Sequence, residues 1–213
     1  MAIPPDEPKS SEQVQQWIEK HARQHDRFAH VAAKYDGHRV THGCYDVHPY
    51  PNGSLLGTLA ATHRAGRILE VGCGLGYSAL WFAYGAGPGT IVESVERDPQ
   101  HAAIARDHFK AEGLGERIKV LAGLGATVLP MLKDTYDLGY FDTDPAESLI
   151  DLEQFERLLK PAGLLISANL FLAQYAPDLP GLEKTAEYRE RILDSTRWLT
   201  SYLPDGTALS IKR

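Results

Sequence analysis

Apolar positions follow two rhythms along the chain. From Glu12 to about Tyr35 they fall at helical spacing, with Val14, Trp17, Ile18, His21, Phe28 and Val31 on one side, and Asp36-Gly37 predicts the end of that helix. Residues 38–52 show no period and are rich in His, Tyr and Pro, which predicts an irregular segment. A second helix is expected from Ser54 to about His63. Beyond it, short apolar runs alternate with helical stretches. Strands are predicted at Arg67–Val71, Thr90–Glu96, Arg117–Leu121, Tyr136–Phe141 and Leu164–Ala168. Helices are predicted at Tyr77–Tyr84, from Asp98-Pro99 to Glu112, at Ala126–Leu132, at Pro145–Leu159 and from Gly181 to about Trp198. Asp98 is suited to accept from free helix amides and Pro99 to occupy the first helical position. Two last runs around Pro204-Asp205-Gly206 read as an antiparallel hairpin. Five β-α repeats and a hairpin imply a doubly wound, mostly parallel α/β sheet of seven strands, with an N-terminal helical extension over residues 1–53 and one domain over 54–213.

Composition narrows the function classes. The 213 residues are 43% hydrophobic and 23% charged, as in an ordinary globular domain, and no apolar run approaches the length of a membrane span. The N-terminus lacks the basic and apolar regions of a signal peptide. Cys44 and Cys73 form no C-x-x-C pair, so neither a zinc knuckle nor a disulfide framework is implied, and a reducing cytoplasm is the expected compartment. The net charge of −6 weighs against a dedicated nucleic-acid binder, because phosphate neutralisation needs a basic surface. A nucleic-acid partner is therefore not expected, and a homodimer is compatible with this reading.

The chemistry concentrates after the first strand, in Glu70-Val71-Gly72-Cys73-Gly74-Leu75-Gly76-Tyr77-Ser78. In an open parallel sheet, ligands bind beyond the carboxyl ends of the strands, where strand order reverses. Glycines there allow a close approach of ligand to backbone, and the free amides opening the next helix are expected to face the ligand. Three readings compete: a dinucleotide site, a bare structural turn, and a nucleoside site of another class. The glycines are spaced G-x-G-x-G, not the G-x-G-x-x-G of dinucleotide folds. Glu96, ending the second strand, stands where an acid accepts ribose hydroxyls.

Five blocks, I-L-E-V-G-C-G-L-G-Y-S-A-L, S-V-E-R-D-P, V-L-A-G-L-G-A-T-V-L-P-M-L, Y-D-L-G-Y-F-D-T-D and L-K-P-A-G-L-L-I-S-A-N-L, are similar in order and spacing to the class I S-adenosylmethionine-dependent O-methyltransferases of the catechol and caffeoyl-CoA type. The resemblance covers roughly Pro51 to the C-terminus. It implies a Rossmann-like methyltransferase fold and S-adenosyl-L-methionine as cofactor. It also implies that Glu70, Gly72, Gly74, Gly76 and Ser78 belong to the cofactor site, with Gly72, Gly74 and Ser78 along the methionine part. Glu96 would hold the ribose, Arg97 would lie beside the adenine, Gly125 and Ala126 at the adenine edge, and Asp142 at the methionine amino group and catalytic centre.

The family pattern breaks at two places. It places a lysine three positions after the first aspartate of the fourth-strand motif, and here that position is Pro145. Its Asp-Asn metal pair is here Ala168-Asn169. A hard divalent cation favours carboxylate oxygens, so no metal is expected at Asp142, with Asp144 as the one possible replacement ligand. Proton removal would then rest on proximity or on a histidine of the N-terminal segment, His42 or His48, with His38 nearby. The commoner fate of such histidines is structural. Tyr45, Tyr50, Phe171, Leu172 and Tyr175 are candidates for the walls of an aromatic substrate site, or for ordinary packing. Two other functions stay open: methylation of hydroxylated uridine in tRNA, and cofactor binding without transfer.

Overall fold

The alternation of β-branched and large apolar residues with helical stretches produces a single mixed sheet. The computed structural model describes residues 8–43 and 47–213, with the backbone only of residues 22 and 23. Helices α1 (Ser11–Gln24), α2 (Ala29–Ala32), α3 (Lys34–His42) and α4 (Gly53–Thr62) precede strand β1 (Arg67–Val71). The chain then runs α5 (Tyr77–Ala86), β2 (Ile91–Glu96), α6 (Pro99–Ala111), β3 (Ile118–Ala122), α7 (Gly125–Val128), β4 (Tyr136–Phe141) and α8 (Ser148–Leu158). It ends with β5 (Leu159–Ser167), α9 (Leu182–Ile192), β6 (Trp198–Tyr202) and β7 (Ala208–Lys212).

The strand order is β3-β2-β1-β4-β5-β7-β6. The first five are parallel, and β7 runs antiparallel to both β5 and β6. This is the doubly wound, mostly parallel sheet with a C-terminal antiparallel hairpin that the pattern implied. Order reverses between β1 and β4, which opens a crevice at their carboxyl ends. Successive side chains face opposite sides of the sheet. Ile68, Val92, Leu138 and Ile166 therefore pack with Leu80, Phe82 and Phe109 of α5 and α6. Leu69, Val71, Phe141 and Leu165 pack with Leu152, Phe155, Tyr188 and Ile192 of α8 and α9. No helix among the described residues is long and apolar enough to cross a membrane.

Four boundaries differ from expectation, each for a local reason. The helix expected over 12–35 breaks after Gln24, because Asp26 Oδ1 accepts from the amide of Phe28 at 2.8 Å and its Oδ2 accepts from Tyr77 Oη at 2.7 Å. Phe28 is thereby turned into the core, edge-on to Trp81. Asp36-Gly37 does not stop the helix either. α3 continues through it, across residues expected to be irregular, and ends at Gly43, whose left-handed backbone (φ 73°) forms the C-cap. Strand β5 starts at Leu159 and not at Leu164. Lys160-Pro161-Ala162-Gly163 is absorbed as a register shift opposite Tyr136 and Leu138. The last helix stops at Ile192. The carboxylate of Asp194 accepts from Thr196 N and Oγ1, turning the chain so that Trp198 is buried as the first residue of β6.

The helices before β1 pack on the sheet. Phe28, Val31 and Tyr35 are buried in the same cluster as α5, whereas Val14, Trp17 and Ile18 of α1 are exposed.

Candidate active site

The glycine loop lies between β1 and α5, and its neighbours dictate its shape. A Cβ at Gly72 would lie 2.0 Å from the carbonyl oxygen of Asp142, so only glycine lets the ends of β1 and β4 come this close. Gly76, at φ 92°, opens α5, where a Cβ would meet the Phe109 ring at 2.5 Å. The amides expected to face a ligand are engaged within the protein. Gly72 N and Cys73 N donate to Val95 O at 3.1 and 3.2 Å, and Gly76 N donates to Cys73 O at 2.9 Å. Leu75 N and Tyr77 N donate to the hydroxyl of Tyr35, on α3, at 3.0 and 3.4 Å. Tyr35 is buried, and burial pushes its phenol well above the ordinary range. On the far side, His108 Nδ1 donates to Leu75 O at 2.8 Å, while its Nε2 accepts from the Lys34 ammonium at 2.9 Å. That pattern requires a neutral ring, in keeping with the lowering of its pKa by burial.

Two acids organise the loop from below and beside. Glu70 is fully buried, accepts from the hydroxyls of Ser78 and Ser94, and is raised to about 7 by burial. It stands behind the loop and does not line the cleft, whereas Ser78 does. Glu96, at the end of β2, does line it. Its Oε2 accepts from Gly74 N at 2.7 Å and its Oε1 from Asp98 N at 2.8 Å, which fixes the carboxylate at the cleft wall. Arg97 also lines the cleft, paired through NH1 with Asp144 Oδ2 at 2.5 Å. Gly125 is in the wall, but the exposed Ala126 is not.

Asp142 ends β4 at the centre of the cleft, its amide donating to Val71 O at 3.0 Å. Its Oδ2 accepts from Tyr140 Oη at 2.9 Å, and its Oδ1 accepts from the side-chain amide of Asn169. Burial raises its pKa to about 6. The sequence left Tyr140 unremarked, because the contact depends on how the ends of β4 and β5 meet. Ala168 offers no ligand atom, and Asp144 is held by Arg97. With both oxygens of Asp142 engaged by neutral donors, this set does not fit a hard divalent cation.

The cleft extends away from the loop to a volume of about 1200 Å³. Tyr50, His48, Phe171, Leu172 and Tyr175 line its outer part. Tyr50 Oη donates to Asp205 Oδ2 at 2.9 Å and lies 3.1 Å from Thr207 Oγ1, which joins the N-terminal segment to the hairpin turn. Tyr45 lies outside the described residues. His48 is exposed on the wall. His42 is not among the lining residues. Its Nε2 is 3.0 Å from Asp98 Oδ2, and its ring lies within 4.8–5.1 Å of those of His38 and His101.

The model of the O-methyltransferase family matches residues 42–178. A protein of Mycolicibacterium vanbaalenii that carries an O-methyltransferase name is 33% identical over 163 residues, 74% of this chain and 72% of its own length. The catechol O-methyltransferase of Mycobacterium tuberculosis is 32% identical over 119 residues, 55% of this chain and only 54% of its own length. The O-methyltransferase TomG of Streptomyces achromogenes, solved with S-adenosylmethionine, superposes with a TM-score of 0.77 at 20% identity, covering 96% of this chain and 99% of that one. The chain belongs to the O-methyltransferase family.

Proposed function

We propose that this protein transfers the methyl group of S-adenosyl-L-methionine to a hydroxyl of a small molecule, with residues 1–53 covering the site built by 54–213. The observation that carries the reading is the joining of the glycine loop to Glu96 through Gly74 N, in one cleft with Asp142. Glu96 presents a fixed carboxylate to a ribose. Ser78 and Asp142 present a hydroxyl and a carboxylate to the methionine end, while Arg97 and Gly125 bound the base. Glu70 acts behind the loop, by holding Ser78.

Bound S-adenosylmethionine supplies the electrophile, a methyl group on a sulfonium sulfur. The protein must orient the acceptor hydroxyl in line, exclude water and take up its proton. Tyr50, Phe171, Leu172 and Tyr175 give the outer cleft the aromatic and apolar walls that orient a ring-bearing substrate. For proton uptake the available groups are Asp142 and, at the wall, His48. His42 faces Asp98 and serves this role poorly. The poor cation set around Asp142 supports transfer without magnesium. Cys73 is a buried free thiol among the described residues, and this suits a reducing cytoplasm.

Calorimetry with S-adenosylhomocysteine, followed by a screen for its release over a phenol library, tests the proposal. Binding and turnover support it. Binding without turnover across the library indicates a silent cofactor-binding protein, and binding of NAD with neither sulfur nucleoside overturns the reading.

A further inference from the structure

Three histidines gather beside the cleft, where the mechanism has no use for them. His38 and His42 lie one turn apart on α3, and His101 lies in the first turn of α6. One nitrogen from each ring falls within 4.8 Å of the others. The rings contact pairwise, with centroids 4.8, 4.9 and 5.1 Å apart. The geometry points to a binding site for a borderline-soft divalent metal ion, zinc by preference, held by His38, His42 and His101 at the Glu96 side of the cleft.

Four observations support it. Two histidines at i and i+4 share one helix face, and a third from another element completes a three-nitrogen set that suits zinc. In a tetrahedral zinc site, nitrogens about 2.0–2.1 Å from the metal lie about 3.3 Å apart, so small side-chain rotations close the observed triangle. A carboxylate stands behind two of the rings: Asp98 Oδ2 is 3.0 Å from His42 Nε2, and Glu96 Oε1 is 3.7 Å from His101 Nδ1. Carboxylates so placed orient ligand imidazoles and offset the charge of the ion. Finally, His38 Nε2 is buried with no hydrogen-bond partner. Buried polar atoms are normally satisfied, and a metal ion supplies the missing partner.

Occupied, the site ties α3 to α6. The same helix carries Tyr35, whose hydroxyl caps the glycine loop three residues before His38. The site is chemically distinct from the Asp142 region, whose candidate ligand atoms are oxygens already engaged by neutral donors. It also stands independently of the proposed reaction, since its test needs no cofactor.

Tag-free protein, stripped with chelator and dialysed, is titrated with Zn²⁺ in competition with a chromogenic chelator. The expected result is one tight equivalent, and with Co²⁺ the intense visible absorption of a tetrahedral nitrogen-ligated ion. His38→Ala should weaken binding by at least about tenfold to a hundredfold and abolish the cobalt band. Zinc should raise the melting temperature of the parent protein but not of the variant. Circular dichroism confirms that the variant is folded, and His38→Gln serves in its place if His38→Ala fails to fold. His21 on α1 and His25 just after its end, also four residues apart, are the control. Their double alanine variant should keep the tight equivalent. No tight equivalent in the parent, or one undiminished by either His38 substitution, overturns the proposal.

Discussion

At the scale of single residues, the cleft is a set of carboxylates with different tasks. Glu96 is fixed by two backbone amides before any ligand arrives. Its replacement by alanine removes a charged acceptor, and hydrogen bonds to charged groups contribute about 1.5–3 kcal/mol. Calorimetry should therefore show Glu96→Ala weakening S-adenosylhomocysteine binding by roughly ten- to a hundredfold. An unchanged affinity would move the ribose contact elsewhere. Asp142 differs in being held at about 6 by burial. Its carboxylate can attract the cationic methionine end of the cofactor only when ionised. Affinity for S-adenosylmethionine should thus fall as the pH drops through about 6, and Asp142→Asn should flatten that profile. Glu96 and Asp142 were legible in the sequence because each ends a strand next to a recognisable turn. Tyr35 was not, because its partners lie 40 and 42 residues away and nothing local marks them. The grouping of His38 and His42 with His101 was hidden for the same reason.

At the scale of elements, strands were easier to read than helix ends. A buried strand announces itself by composition, so β1 and β4 fall where the apolar runs predict. Helix boundaries turned on contacts with distant residues. Asp26 breaks the first helix partly because Tyr77 of α5 donates to it, and no pattern within residues 12–35 shows that. Gly37 looked like a stop, yet a single glycine in a helix costs only about 1 kcal/mol, and packing of Tyr35 holds α3 through it. The free amides expected at the start of α5 were capped by an element whose placement was itself unpredicted. That cap gives a test of the packing of α3 against the loop. Tyr35→Phe keeps the buried ring and deletes the acceptor of Leu75 N and Tyr77 N. Denaturant melts should show a loss of about 1–3 kcal/mol, the cost of leaving buried amides unsatisfied. No loss would mean that water replaces the hydroxyl.

At the scale of the whole molecule, buried acids set how stability depends on pH. Glu70 and Asp151 are both raised to about 7, and Asp142 to about 6, in each case chiefly by burial. A carboxyl whose folded pKa exceeds its unfolded value near 4 binds its proton more tightly in the native state. Its contribution is full below pH 4 and is lost as pH rises through 6 to 7. Asp98 works in the opposite sense. Burial pushes it up, but hydrogen bonds from His42 and from the amides of Gln100 and His101 bring it down to about 2, so its contribution is lost only in strong acid. The ligand-free protein should therefore melt highest near pH 4 and lose stability toward pH 8. Asp151 isolates the effect. It is fully buried beneath the cleft, with Oδ2 accepting from Thr143 Oγ1 at 3.1 Å and Oδ1 without a partner. Asp151→Asn keeps its shape and the Thr143 bond but cannot ionise. Differential scanning calorimetry should find the variant more stable than the parent at pH 8, by on the order of 4 kcal/mol, which is roughly ten degrees for a chain of this length. Below about pH 4, where the carboxyl holds its proton in the folded and the unfolded chain alike, the two should melt together. A variant destabilised equally at both pH values would show that Asp151 is ionised and satisfied in the native state, and would move the origin of the pH dependence to Glu70 and Asp142.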